Sequence, residues 1–237
     1  MFYSIILCSY LTIDLSLAAD NLSKDIPVFF IGNAPPYFII KDNQVSGFMI
    51  DIVQIPLLNE GISTKFIINP WMRALVRAEK EDSLVVMLKS EDRLKKYNFS
   101  KNPIHRNNQY LFKIVEDKEV PLKDASIGLI RGYDYGDNQE IDKDKIIYIN
   151  SIEQGVNLLK AKRINYFIGE KFFAKCLTKN LNINITAHKY LNSKDVFLAR
   201  SKKFPTDLLQ KFDNGYQKLS HKFKKDLLHK YLKDCSP

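Results

Sequence analysis

The sequence predicts an α/β protein of two lobes, each a mixed, mostly parallel sheet flanked by helices, with two hinge crossings between them. Three observations predict it. Near-continuous apolar runs recur at residues 26–31 (IPVFFI), 84–88 (LVVML), 125–130 (ASIGLI) and 164–168 (INYFI). Runs of that length without polar alternation suit strands covered on both faces, as in parallel sheets. Helix-length stretches lie between them, the alternation expected of β/α units. A polar, proline-bearing stretch at residues 116–124 (EDKEVPLKD) divides the chain into two such sets.

Taken in order, the run at 26–31 ends in Gly32-Asn33-Ala34-Pro35-Pro36, which stops the sheet and forces a loop. Tyr37 and Phe38 then stand at the mouth of a crevice beyond the strand's carboxyl end, covering a ligand or plugging the sheet. Residues 41–46 (KDNQVS) read as a hairpin-like turn. A helix starts at Gly47-Phe48-Met49-Ile50-Asp51 and is shortened or kinked at Pro56, with Asp51 favourable to the helix dipole. The second strand (63–68) ends at Asn69-Pro70-Trp71-Met72-Arg73, where Pro70 suits a helix start. This sets the only tryptophan and an arginine at a second sheet end, the tryptophan serving either a ligand or lobe packing.

The strand at 84–88 turns polar at Lys89-Ser90, and Arg93 follows three residues past that hydroxyl. Ligands of open α/β sheets sit beyond the strands' carboxyl ends. Arg93 there offers a planar fork that matches a carboxylate, or it pairs with Glu91 or Asp92 as a solvated helix residue. A long strand at 107–115 leaves the first lobe, and a strand at 195–199 (DVFLA) returns to it. After the run at 125–130, Arg131-Gly132-Tyr133-Asp134-Tyr135-Gly136 frees backbone N–H groups for an anion at a helix start. It lacks the three-glycine dinucleotide fingerprint. Ser151 and Gln154 can cap a helix running to Lys162. The strand at 164–168 is closed by Gly169-Glu170, so Glu170 either faces the crevice opposite Arg93 or simply begins a helix. Helices at 205–214 and 216–233 finish the chain.

Residues 1–19 are apolar, end in small residues and read as a signal peptide, although Asp14 interrupts them and no base precedes the run. A buried N-terminal strand or helix is the other reading. Cys8 follows bulky residues that do not suit lipid attachment. Removing this segment raises the net charge from +9 to +10. The basic residues are scattered, so no nucleic-acid partner is expected. No CxxC or clustered His/Cys pattern appears, so neither a metal nor a cofactor is expected. Cys176 and Cys235 can pair in an oxidising compartment if the fold brings them together. The expected division is residues 25–112 with 201–237 as the first lobe and residues 113–200 as the second.

An ordered set of motifs covers nearly all of the chain after the apolar leader. It comprises Ala34-Pro35-Pro36-Tyr37, Gly47-Phe48-x-x-Asp51, Trp71-x-Arg73-Ala74, Ser90-x-x-Arg93 with Asn98-Phe99-Ser100, Gly128-x-x-Arg131-Gly132, and Gly169-Glu170. The set resembles the periplasmic solute-binding proteins of polar amino-acid ABC transporters (family 3 type), and the Trp-x-Arg-Ala element resembles one branch of them. The resemblance implies a type II periplasmic-binding-protein fold. It also implies a monomer without cofactor or enzymatic activity, which captures a small polar solute, an amino acid, and delivers it to a membrane ABC permease.

In that resemblance Arg93 pairs with the ligand α-carboxylate, Ser90 stands where a threonine hydroxyl usually helps, Tyr37 covers the ligand, and Glu170 takes the α-ammonium. The full ligand-binding set expected is Tyr37, Trp71, Arg73, Ser90, Arg93, Arg131, Tyr133 and Glu170. The chain departs from the family pattern at Val86 and Met87, where a glycine is usual, at Tyr133, where a small hydroxyl residue is common, and at Asn165, which replaces an aspartate. Two other functions fit the same scaffold: a lyase-type enzyme using Glu170 as acid or base, and a sensory ligand-binding protein.

Overall fold

A computed structural model describes residues 25–30, 34–42, 44–133, 135, 140–172, 176, 183–233 and 235. The expected signal segment, Gly32, Asn33, Asp134 and Gly136 lie outside these residues.

The described strands form a nine-stranded sheet and a small hairpin. One parallel group contains β1 (Ile26–Phe30), β4 (Thr64–Ile68) and β5 (Leu84–Leu88); the hairpin is β2 (Ile39–Lys41) and β3 (Gln44–Ser46). A second parallel group contains β8 (Ile127–Ile130), β9 (Ile146–Ile149) and β10 (Tyr166–Glu170). The groups are joined by an antiparallel pair, β7 (His105–Ile114) and β11 (Ile185–Ser201), to give the order β4-β1-β5-β11-β7-β10-β8-β9. The short β6 (Tyr97–Phe99) pairs with β11. These two long strands are the crossings between the halves of the molecule.

β11 reaches ten residues further back than its apolar stretch suggests. Its early part (ITAHKYLNSKD) is polar, and register shifts between Ala187 and Lys189 and between Tyr190 and Asn192 break the two-residue alternation. Only pairing with β7 makes it a strand.

Helix α1 (Phe48–Leu58) carries β3 back towards β4 and buries Met49, Ile52, Val53 and Leu57 against the core. Pro56 sits in its last turn, so the helix ends two residues later. Asp51 accepts the Tyr231 hydroxyl at 2.6 Å, a tie between helices rather than a dipole effect alone. Helices α2 (Trp71–Lys80), α3 (Glu91–Lys96) and α4 (Ile152–Lys160) each follow a strand. The Ser151 cap of α4 is present, with Gln154 N donating to Ser151 Oγ at 3.1 Å and Gln154 Oε1 accepting from Asn150 N at 2.8 Å.

The final helices are α5 (Asp207–Gln217) and α6 (His221–Lys233), so the expected break at Gly215 is corrected. Gly215 lies inside α5 because the helix crosses α1 there; a Cβ on it would stand 2.2 Å from the Pro56 carbonyl oxygen. The break comes at Ser220, whose hydroxyl accepts from Phe223 N at 3.1 Å. Gly215→Ala should therefore destabilise the fold by about 2 kcal/mol or more, since backbone has to move. An unchanged urea midpoint would contradict that crossing.

Cys176 and Cys235, both buried, form a disulfide with a Cα–Cα distance of 4.5 Å. It ties the segment after β10 to the chain beyond α6.

Candidate functional site

Between the two parallel groups lies a cavity of about 80 Å³, room for several waters at roughly 10–15 Å³ each. Five of the eight expected ligand-binding residues line it: Tyr37, Trp71, Arg93, Tyr133 and Glu170. Their strands end at this level, which is why side chains 133 residues apart converge (Tyr37 and Glu170).

Arg93 stands in the first turn of α3, where Ser90 is the N-cap and its hydroxyl accepts from Arg93 N at 3.4 Å. The guanidinium donates to Leu88 O at 2.9 Å and, across the cavity mouth, to Gly132 O at 2.8 Å. Asp92 pairs with Lys95 instead, at 2.9 Å. Trp71 is buried at the start of α2 and sends its Nε1–H to the same Gly132 oxygen at 2.9 Å. The Trp71 ring meets Tyr133 edge-on at 5.6 Å, and the Arg93 guanidinium lies 5.6 Å from its centroid. Gly132 thus accepts from two side chains of the other half.

Of the anion-binding turn expected at residues 131–136, Asp134 and Gly136 lie outside the described residues. Arg131 N donates to Ile149 O at 2.8 Å and Tyr133 N to Ile130 O at 3.1 Å, so this turn offers the site a carbonyl. The φ of 79° at Gly132 belongs to the left-handed region that glycine adopts most readily.

At the opposite end, Glu170 closes β10 and is 2% exposed. Its Oε2 accepts from Phe172 N at 2.7 Å, capping the turn that follows. Its Oε1 is buried with no partner at normal hydrogen-bond geometry among the described residues. Asn107 Oδ1, from β7, lines the same cavity and is likewise buried without a partner. The Tyr37 hydroxyl lies 2.8 Å from His105 Nε2 and also interacts with the Glu170 carboxylate. A hydroxyl proton aimed at Glu170 makes His105 Nε2–H the donor to Tyr37.

Burial governs the ionisation of this group. Desolvation pushes Glu170 up to about 7 from the ordinary 4.5, opposed in part by its bonds to Tyr37 and to backbone N–H groups. Burial lowers His105 to about 4, so the imidazole is neutral at pH 7. Burial, then the neighbouring Glu170 charge, raises Tyr37 well above its usual range.

Because the folded pKa of Glu170 exceeds the unfolded one, its contribution to stability is full below about pH 4.5 and is lost as pH rises through about 7. Above both values the buried carboxylate costs on the order of 3 kcal/mol. Ligand-free protein should therefore lose stability relative to Glu170→Gln between pH 5 and pH 8. Parallel stability curves for the two proteins would remove the acid from its buried setting.

The remaining expected site residues are elsewhere. Ser90 caps α3 and does not line the cavity. Arg73 is exposed on α2, and exposed Arg131 lies 5.2 Å over the Tyr148 ring. Sequence reasoning missed His105 and Asn107. They belong to the unbroken polar run His105–Gln109 that opens β7, so no alternation marked them, although the two-residue strand period puts His105, Asn107 and Gln109 on one strand face.

No protein-family model and no curated protein matches the sequence. Solved structures do match. An amino-acid ABC transporter substrate-binding protein from Streptococcus pneumoniae bound to L-arginine is 16% identical, with a TM-score of 0.76 over 90% of this chain and 96% of that one. A putative L-cystine ABC transporter protein from Listeria monocytogenes is 20% identical, with a TM-score of 0.75 over 88% and 96%. A histidine kinase sensor domain with similarity to periplasmic binding proteins is 15% identical, with a TM-score of 0.77 over 88% and 96%. At these identities the likeness establishes the fold, which is the type II periplasmic-binding-protein fold.

Proposed function

We propose that this protein is an extracytoplasmic solute-binding protein that captures a small zwitterion, an amino acid, between two lobes and delivers it to a membrane ABC permease. One observation carries the reading. The cavity has a guanidinium at one end and, at the other, the buried acceptors Glu170 Oε1 and Asn107 Oδ1, neither met by a donor at normal hydrogen-bond geometry among the described residues. Buried acceptors without donors are costly, and an ammonium group supplies what they lack.

In this reading residues 25–112 with 201–237 form one lobe, residues 113–200 the other, and residues 1–19 are a signal peptide. Arg93 takes the ligand carboxylate, and Glu170 with Asn107 takes the ammonium. Tyr37, Trp71 and Tyr133 close over the ligand. The Cys176–Cys235 disulfide supports an oxidising compartment. A few charge-assisted bonds at about 1.5–3 kcal/mol each give micromolar affinity, roughly −8 kcal/mol.

A thermal-shift screen of amino acids tests this. Ligand at a hundred times its Kd should add about 2.7 kcal/mol of stability. Glu170→Gln should weaken zwitterions about tenfold or more while leaving simple carboxylates little changed. Equal losses for both would rule out its ammonium role.

A second reading rests on the likeness to the histidine kinase sensor domain: ligand capture that signals to a membrane partner without transport. Co-purification with a permease from membranes separates the two, and consumption of bound ligand would instead reveal an enzyme.

A further inference from the structure

We infer that the ligand of this cavity is an amino acid with a neutral, apolar side chain, an inference that rests on the amino-acid reading proposed above. The charge inventory of the described lining comes first. It contains one cation, Arg93, and one acid, Glu170, while burial keeps His105 neutral at pH 7. A zwitterion's own carboxylate and ammonium use both. A ligand side chain bearing a further charge, such as a guanidinium, would enter without a counter-ion among the described residues, and desolvating an unpaired charge is expensive.

The rest of the wall points the same way. Met49 from α1, Val86, Met87 and Leu88 from β5, and Val196 from β11 line the cavity with aliphatic and thioether groups. All five are at most 9% exposed; Met49, Val86, Leu88 and Val196 belong to one apolar cluster and Met87 to the cluster around Trp71. Methionine side chains adapt to branched and unbranched groups alike.

Calorimetric titration of the purified full chain at pH 7.5 tests this with L-leucine, L-methionine, L-arginine, L-lysine and L-glutamate. The singly charged leucine analogues 3-methylbutylamine and 4-methylpentanoate complete the set. Leucine or methionine should bind at least about tenfold more tightly than arginine, lysine or glutamate. A charged amino acid that binds as tightly as leucine overturns the apolar assignment and leaves the amino-acid reading standing. Binding of the singly charged analogues alone overturns both, and binding of nothing in the set overturns the apolar assignment.

Discussion

Replacing Arg93 with alanine is expected to weaken amino-acid binding about a thousandfold while leaving the fold intact. The proposed carboxylate contact is bidentate, and two charge-assisted bonds at about 1.5–3 kcal/mol each correspond to two to four decades in Kd. The same change removes the donor to Gly132 O, one of two bonds from the first half to that carbonyl. Ligand-free stability should change little, because α3 is short and buries no side chain fully. Arg93→Lys is the informative control: it keeps the charge and loses the planar fork, so most of the affinity should still be lost. Titration of wild type and both variants reads the effect directly. An Arg93→Ala protein that binds as well as wild type would take the guanidinium out of the site.

Breaking the Cys176–Cys235 bridge should give the largest loss of stability. The linked residues are 59 apart in sequence, and chain entropy for a loop of that length corresponds to about 4 kcal/mol, with 2–4 kcal/mol typical of measured cases. The Cys176→Ser, Cys235→Ser double variant should therefore unfold at a clearly lower urea midpoint than the oxidised protein. Both sulfurs are buried, so the oxidised protein should resist mild reductant until it is partly unfolded. A double variant with the oxidised protein's midpoint would show that the bridge constrains nothing that folding needs.

Much of this could be read from the chain. The strands at 84–88 and 127–130 are apolar throughout and were legible because their burial on both faces leaves that mark. Arg93 and Glu170 were found because each follows such a strand, where the sheet ends and polar groups can face a crevice. Tyr37 and Trp71 were placed by the prolines before them. Other features left no local trace. The first half of β11 is polar and bulged, so its period says loop. Gly215 looks like a helix break until α1 is seen pressed against it. His105 and Asn107 lie in the wholly polar opening of β7 (HRNNQ), where composition does not say which side chains the sheet turns to the cavity.

The sequence by itself determined most of the apolar strands and the capped helix starts, because burial and capping act over a few residues and select residue types. It also determined that an arginine and an acid stand at strand ends. Only the tertiary structure decided which carbonyl Arg93 meets, that Cys176 reaches Cys235, and that Glu170 is buried beside Tyr37 and His105. Those outcomes depend on groups distant in the chain, and no local preference encodes the distance between them.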